Sequence, residues 1–335
     1  MISLSTRPCL EEYRRYADTA AVSAALYSLF KEESPRGKFA GIDHKFRDIR
    51  GNPLTPDFAA LSQDKSTGMV FELKSSLPSD EELLTKEMKE IEKYSLIARG
   101  WPTATGSVDH HDIVLVCHMD DAKKAVETAE RLSKENDSGF FAREGFTIWS
   151  WVLSSQKEPG RKDEMRLMKA YGATRNEELE GMISSTGGIL ISEKVLEVYR
   201  FQYLFVRARP PVQYTIVMLI QHVLNPILSS YVGSGEREIP LELVLARVGS
   251  FFPHWWGSGA DIAQTKKDWI LEALQKMVEI DLMKTAEDKG DVFIMYTPSR
   301  RYRDSLNDVV CKKLLELTTK TKPTTSKMRS LRNYV

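Results

Sequence analysis

Hydrophobic and polar positions in the first 153 residues recur at the spacing of helices in some segments and of strands in others. The run HDIVLVCH at 111–118 is apolar almost throughout, which indicates a strand buried on both faces in a parallel arrangement. The predicted elements are, in chain order, a helix over 9–33, strands over 38–49, 53–61 and 69–76, a helix over 81–100, a strand over 111–118, a helix over 120–136 and a strand over 145–153. The order α-β-β-β-α-β-α-β predicts an α/β fold in which helices cover a mixed sheet.

The pattern changes after residue 157, and the rest of the chain is predicted to be mostly helical. Residues 158–210 are predicted as a helical linker region, which ends at the prolines of ARPPVQ because proline cannot continue a helix. Over 211–300, three helices followed by two short strands around a charged turn predict a winged-helix domain. Residues 301–335 form a basic C-terminal tail. The first domain is accordingly assigned to 1–157.

Composition and charge exclude little. Lys plus Arg and Asp plus Glu both number 47, so the net charge does not point to a partner, and a hydrophobic content of 42% suffices for sizeable cores. The apolar run at 20–30 is too short to span a bilayer and follows no cleavable signal. We therefore expect a cytoplasmic or nucleoid-associated protein that does not bind membranes.

The three cysteines are Cys9, Cys117 and Cys311, and no two of them form a CxxC pair. This spacing predicts neither a disulfide framework nor a zinc ribbon, and it fits a reducing compartment.

Candidate chemistry lies on the third predicted strand, in MVFELKSS. Side chains of a strand alternate, so Glu72 and Lys74 share one face while Leu73 points to the other. The preceding turn can bring Asp57 opposite them. Two carboxylates beside an ammonium form a site for Mg²⁺ or Mn²⁺, in which Lys74 could orient or deprotonate water or stabilise charge on phosphorus. The alternative interpretation is an exposed ion pair worth about a few tenths of a kcal/mol.

The residues Pro56-Asp57 and Glu72-Leu73-Lys74 on consecutive strands resemble the motif of the PD-(D/E)xK nuclease superfamily. The resemblance covers residues 9–153 in element order and implies a restriction-endonuclease-like αβββαβ mixed-sheet core. It also implies that Asp57, Glu72 and the Leu73 backbone carbonyl bind the metal ion and that Lys74 serves catalysis.

Two further features of that superfamily can be sought in the chain. Many members carry an acid on the first helix, for which Glu11 and Glu12 are both candidates here, and Glu12 is the candidate fourth metal ligand. RecB-like members carry Q-L-x-x-Y on the helix after the third strand, and this chain has glutamate in place of the glutamine in the segment 90–94. Lys86 and Lys89 on the same helix are candidate phosphate contacts.

The distal domain offers a second set of candidate nucleic-acid contacts. Lys266 and Lys267 lie near the start of its third helix, where a groove-binding helix meets bases or phosphates, and Arg300 and Arg301 follow the predicted wing. The competing interpretation is a winged helix that contacts only proteins, since acids such as Asp268 dilute the charge of this helix.

The sequence therefore predicts a Mg²⁺- or Mn²⁺-dependent DNA endonuclease, similar in plan to restriction enzymes and to transposon end-cleaving subunits. Double-stranded DNA is the expected substrate. A homodimer is compatible with this activity because a double-strand break requires two sites, and the winged helix could instead bind a partner protein. One alternative is a non-catalytic DNA-binding or regulatory protein with a degenerate nuclease fold, and another is a nuclease directed at RNA.

Overall fold

The computed structural model describes residues 6–30, 38–42, 44–135, 139–142, 144–154, 164–192, 196, 210–230, 235–251, 260–286, 292–296 and 306–320. It shows an α/β protein that divides into two compact units. The sheet unit is Arg15–Pro210, and the helical unit combines Met1–Arg14 with Pro211–Val335. The division falls within the first helix, and the domain limit predicted at 157 lies inside the sheet unit.

The elements up to Pro210 alternate between strands and helices. In chain order they are α1 (Arg7–Phe30), β1 (Lys38–Ile42), β2 (Phe46–Asp48), β3 (Pro53–Leu54), β4 (Phe58–Leu61), β5 (Thr67–Lys74), α2 (Glu81–Ile91), a 3-10 helix (Glu92–Leu96), β6 (Ile97–Arg99), β7 (His110–His118), α3 (Met119–Glu135), a 3-10 helix (Phe140–Ala142), β8 (Phe146–Ser154), β9 (Glu164–Gly172), α4 (Glu177–Ser184) and β10 (Ile189–Ser192).

A seven-stranded mixed sheet organises this unit, in the order β1-β4-β5-β7-β8-β9-β10. Strands β1, β4 and β5 pair antiparallel, β5, β7 and β8 pair parallel, and β9 and β10 return to antiparallel pairing. The parallel arrangement predicted for 111–118 is thus confirmed. Its four central apolar residues are fully buried because helices cover both faces of the sheet.

The two faces of the sheet pack against different helices. Phe30 of α1 contacts the rings of Phe58 and Phe71 on one face, with centroids 6.1 and 5.7 Å away. The other face carries Val70 and Leu115 into a core shared with buried residues of α2 and α3. Glu72 and Lys74 follow Val70 at alternate positions of β5, so they lie on the face covered by α2.

A second, three-stranded sheet in the order β3-β2-β6 adjoins the first. Its buried residue Phe46 packs on Trp101 with ring centroids 4.6 Å apart. Trp101 in turn lies over Gly68 of β5, where any side chain would collide with the indole ring. The absence of a side chain at Gly68 therefore allows the small sheet to pack against the large one.

Four segments of this unit differ from the sequence prediction. The strands predicted over 38–49 and 53–61 are each two strands that belong to different sheets, β1 and β2 in the first case and β3 and β4 in the second. The helix predicted over 81–100 ends at Ile91, because the residues after it turn through a 3-10 helix and pair as β6 with β2. The prediction of a helical linker over 158–210 is wrong for β9 and β10, in which apolar side chains such as Met165 and Leu167 alternate inward.

The helical unit contains a compact set of helices with a small sheet. Its elements are α5 (Val212–Met218), a π-helical segment (Leu219–Leu224), α6 (Asn225–Ser229), β11 (Glu236–Pro240), α7 (Leu241–Phe251), α8 (Ala260–Glu279), β12 (Lys284–Thr285), β13 (Val292–Tyr296) and α9 (Leu306–Lys320). Helix α5 packs against α8 and α9, and the antiparallel sheet has the order β11-β13-β12. The strand β11 was not predicted.

The cysteines also differ from expectation. Cys9 in α1 and Cys311 in α9 form a disulfide with Cα atoms 5.8 Å apart, although 302 residues separate them. The prediction that no disulfide is present is therefore wrong. Cys117 on β7 is a buried free thiol, and burial raises its pKa to about 12.

None of the helices in the described part of the chain is both long and apolar enough to cross a membrane.

Candidate functional site

Asp57 and β5 meet where β4 begins. The register pairs Phe58 with Phe71, so the next position along each strand places Asp57 opposite Glu72 on the same face of the sheet. Asp57 is buried, and its Oδ2 accepts a hydrogen bond of 2.5 Å from the Leu73 backbone amide. The Leu73 amide of β5 has this carboxylate as its acceptor because β4 does not extend far enough to pair with it. The hydrogen bond fixes Asp57 beside the Glu72-Leu73-Lys74 segment.

The turn between β4 and β5 sets this register. Asp64 accepts hydrogen bonds from Ser62 Oγ at 2.5 Å and from the Ser66 amide at 3.1 Å, and these bonds lower the pKa of Asp64 to about 2. Lys65 adopts the left-handed conformation with φ of 61°, and the Ser62 amide donates to the Thr67 carbonyl. Because a slip of one residue would turn Glu72 to the opposite face, this turn is needed for the site to form.

Lys74 lies between two carboxylates. Its Nζ is 3.3 Å from Glu72 Oε1 and 3.8 Å from Oε2 of Glu87 on α2. Glu87 Oε2 is buried without a hydrogen-bond partner. The charge of this oxygen is offset by its ion pair with Lys74. The lysine side chain is itself only partly exposed, so both ion pairs are shielded from water more than surface pairs are.

Tyr94 connects this cluster to the small sheet. Its hydroxyl donates to Glu72 Oε2 at 2.9 Å and lies 3.2 Å from the Thr55 carbonyl oxygen. The Tyr94 carbonyl accepts a 2.7 Å hydrogen bond from His111 Nε2. Burial lowers the pKa of His111, so the imidazole is neutral at pH 7 and its ring N–H serves this bond. The tyrosine therefore holds Glu72 in place from a fixed backbone position.

The structure brings together Asp57, Glu72 and Lys74 as the sequence suggested. It adds Glu87, which sequence reasoning missed, and gives Tyr94 a contact with the site. No local pattern in the sequence signals Glu87, because its approach to Lys74 depends on how α2 lies across the sheet.

The candidate acids of the first helix have partners within the helical unit. Glu12 Oε2 accepts a 2.7 Å hydrogen bond from Gln213 Nε2, and Glu11 pairs with Arg7 at 2.8 Å. Glu12 thus joins α1 to α5, and Glu11 forms an ion pair on the surface of α1. A role for either glutamate as a metal ligand stays a prediction.

The candidate nucleic-acid contacts differ in accessibility. Lys86 and Lys89 are exposed on α2, beside a shallow depression that also involves Thr85. Lys266 is only 6% exposed, so it has little surface to offer a phosphate and is no longer a candidate, whereas Lys267 is half-buried. Arg300 and Arg301 lie outside the described residues.

The donor set of the cluster suits a hard divalent cation. Asp57 and Glu72 offer carboxylate oxygens, and Mg²⁺ is commonly held by one or two carboxylates together with water and substrate phosphate. Within the described ranges, no group of three or more His, Cys, Asp or Glu side chains is arranged to hold a metal ion. Asp57 and Glu72 are thus the two carboxylates of the cluster that could hold a cation, and metal binding stays a prediction.

Asp112 is a second buried carboxyl group, near the N-terminal end of β7. Its hydrogen bonds are structural. Asp112 accepts hydrogen bonds from the backbone amide of Arg175 at 2.7 Å and from its Nη1 at 2.9 Å. Burial raises the pKa of Asp112 to about 6, while the guanidinium opposes this shift. Arg175 also donates to the Glu144 carbonyl at 2.7 Å. The pair anchors the segment after β9 to β7.

Comparison of the chain with models of protein families, with curated proteins and with solved structures finds no match.

Proposed function

We propose that the sheet unit is a divalent-metal-dependent endonuclease domain of the restriction-endonuclease-like type that hydrolyses phosphodiester bonds of DNA. The order of its elements supports this assignment. Helix α1 precedes the antiparallel strands β1, β4 and β5, and α2 and α3 lead to the parallel strands β7 and β8. This order supports the proposal of an αβββαβ core, into which the small sheet would be inserted between β1 and β4 and again after α2.

The observation that carries the proposal is the convergence of two carboxylates and an ammonium at one end of β4 and β5. Asp57 contacts the backbone of Leu73, and Glu72 and Lys74 lie 3.3 Å apart on the same face. Placing two carboxylates and an ammonium at partly buried positions costs desolvation free energy that apolar residues would not. Clusters of this kind are typical of active sites.

The roles of the residues follow from their contacts. Asp57 and Glu72 would hold Mg²⁺ or Mn²⁺, which when bound would supply positive charge beside the scissile phosphate. Lys74 presents a cationic donor next to that position and is suited to stabilise negative charge on the phosphate oxygens. Glu87 forms a second ion pair with Lys74, and the Tyr94 hydroxyl restrains Glu72 through a hydrogen bond. Glu87 and Tyr94 are accordingly positioning residues.

The helical unit is proposed to be a winged-helix module that binds DNA or a partner protein. The order helix, β11, α7, α8, β12, β13 and the sheet order β11-β13-β12 support this interpretation. Lys267 remains its candidate contact among the described residues. Many of the described charged side chains here pair with neighbours, for example Lys276 with Glu279 at 2.5 Å, which is typical of a solvated surface.

Nicking of supercoiled plasmid DNA in the presence of Mn²⁺ tests the proposal. The native protein should nick the plasmid, and removing the Lys74 ammonium by Lys74→Ala should lower the rate by about 100-fold or more, the effect of losing one oxyanion-stabilising donor. Lys123→Ala removes an exposed lysine of α3 that also pairs with a glutamate, so it serves as the matched control and should leave nicking unchanged.

The outcomes separate the competing functions. If the native protein binds the plasmid but never nicks it, the proposal fails and a non-catalytic DNA-binding protein with a degenerate nuclease fold takes its place. Cleavage of structured RNA in preference to the plasmid would assign the same site to RNA. Equal nicking by the native protein and Lys74→Ala would remove Lys74 from the catalytic residues.

A further inference from the structure

The β2–β3 hairpin, residues 46–54, ends in an apolar side chain that points into solvent. Ile49 at its tip is 76% exposed, the largest exposure among the exposed large hydrophobic residues of the described chain. Arg47 and Arg50 flank it and are both exposed. Ile49 is not part of the core. The residues around it therefore indicate which kind of partner it could contact.

The turn that carries Ile49 is rigid. Asp48 accepts hydrogen bonds from the amides of Arg50 and Asn52 and from Asn52 Nδ2, each at 2.8 Å. The Gly51 amide donates to the Asp48 carbonyl at 3.0 Å, and Arg47 Nη1 donates to the Gly51 carbonyl at 2.8 Å. These hydrogen bonds hold the backbone of the turn, which lowers the cost of ordering that backbone on binding.

The small sheet to which the hairpin belongs separates apolar and cationic side chains onto opposite faces. Phe46, Leu54 and Ile97 are buried on one face. The other side exposes Arg47 next to Arg99 of β6, with which it is paired in register. Residues 45–54 and 97–99 contain four cations and one acid, and that acid, Asp48, is occupied by the turn. The exposed surface thus complements a polyanion.

The hairpin is also joined to the proposed active site. Strand β3 leads through Thr55 to Asp57, and β6 begins three residues after Tyr94, whose hydroxyl contacts both Thr55 and Glu72. The seven residues from Arg50 to Asp57 span at most about 24 Å when extended. At 3.4 Å per nucleotide along one strand, that reach corresponds to about seven base pairs.

We infer that the β2–β3 hairpin is a DNA wedge, in which Ile49 inserts against the base stack from the minor groove while Arg47 and Arg50 contact the flanking phosphates. Apolar side chains that enter between base steps, flanked by basic residues, are a known way of gripping and bending a duplex. The inference rests on the proposed function for its substrate and adds a contact within about seven base pairs of the cleaved bond.

Duplex binding by the full-length protein in EDTA tests the wedge without cleavage. The probe is a fluorescein-labelled 30-base-pair duplex, together with a copy containing 2-aminopurine, whose fluorescence rises when bases unstack. Ile49→Ala should weaken binding by about tenfold and abolish the 2-aminopurine signal while leaving the salt dependence unchanged, because it removes only apolar contact. Arg50→Ala should reduce the slope of log K against log salt by about 0.9, the value for one phosphate contact.

Leu190→Ala is the matched control, since Leu190 is another exposed aliphatic residue of the same unit, on β10. It should bind and unstack DNA like the native protein. The wedge is overturned if Ile49→Ala and Arg50→Ala both bind and unstack DNA as the native protein does, or if the native protein does not bind the duplex. Native protein that uses the hairpin to bind but never nicks plasmid would instead overturn the proposed nuclease activity alone.

Discussion

A lysine–glutamate ion pair lies on strands of each unit, and the two pairs have almost the same length. Lys74 Nζ is 3.3 Å from Glu72 Oε1 in the sheet unit, and Lys284 Nζ is 3.4 Å from Glu236 Oε1 in the helical unit. Their exposure differs: the side chains are 27% and 12% exposed in the first pair, and 66% and 45% exposed in the second. Distance alone therefore does not distinguish a partly buried pair from a surface pair.

The neighbours of the two pairs account for the difference. The first pair is contacted by Tyr94 and Glu87 and stands beside the buried Asp57. In that setting each charge is partly desolvated, and the arrangement persists because several strands and a helix support it. The second pair faces water, where an exposed ion pair contributes about 0–1 kcal/mol to stability. Burial and convergence of several polar groups, more than pairing itself, mark the candidate site.

Neutralising the glutamate of each pair gives the largest expected effect. Glu72→Gln keeps the size of the side chain but removes a proposed metal-binding charge, so Mn²⁺-dependent nicking should fall by about 100-fold or more. Glu236→Gln makes the same change in the exposed pair and should leave the nicking rate within about twofold of native. Equal losses in both variants would show that the two pairs do not differ in function.

The positions of Asp57, Glu72 and Lys74 on adjacent strands could be predicted from the sequence. The alternation of Val70, Glu72 and Lys74 on one face follows from strand geometry, and the turn residues at 62–68 place Asp57 opposite them. These are short-range relations between adjacent strands. They hold because the Asp64 turn leaves one register for the hairpin.

Relations between distant segments were the ones missed. Whether Glu87 meets Lys74 depends on how α2 lies across the sheet, which no local pattern encodes. The disulfide joins residues 302 positions apart, and β11 pairs with β13 across two helices. The strand β9 was missed because its alternation is mixed with Lys169 and Arg166, so its pattern resembles that of a polar helix.

Loss of the disulfide, whose two cysteines both belong to the helical unit, should be the next largest effect. Closing so long a loop restricts the unfolded chain, so Cys311→Ser should lower the free energy of unfolding by about 2–4 kcal/mol. Urea denaturation with and without a reductant measures this. The reductant should destabilise the native protein and have no further effect on Cys311→Ser. Alkylation of the denatured, unreduced protein should label one cysteine, Cys117; three labelled cysteines would show that the bond is absent.

Two tyrosines of the sheet unit allow a comparison between a hydrogen bond to the candidate site and a hydrogen bond elsewhere in the unit. Tyr94→Phe removes the hydroxyl that contacts Glu72, and Tyr171→Phe removes a hydroxyl that donates to the Phe141 carbonyl at 3.1 Å. Each should cost about 1 kcal/mol of stability in urea. Only Tyr94→Phe should also slow nicking, by about tenfold, because Glu72 then loses its restraint. Identical nicking by the two variants would remove Tyr94 from the site.

The smallest effect concerns pH. Burial lowers the pKa of His111 below the value of 6.5 that it has in the unfolded chain; the hydrogen bond to the Tyr94 carbonyl opposes this shift, and the Arg175 charge adds to it. Its contribution to stability is therefore fully present above pH 6.5 and is lost as the pH falls through the folded-state pKa. Asp112 opposes this trend, since its pKa is raised to about 6 by burial and protonation below that pH favours the folded state.

A His111→Asn variant isolates the histidine because Asp112 is present in both proteins. At pH 8 the free energy of unfolding of the variant should be lower than that of the native protein, because the hydrogen bond from His111 to the Tyr94 carbonyl is lost. At pH 5.5 that difference should narrow, since only the native protein must then exclude a proton that its unfolded state binds. Urea midpoints at the two pH values measure the change. A difference that stays constant would mean that His111 titrates equally in both states, and Tyr94 would then have no pH-dependent anchor.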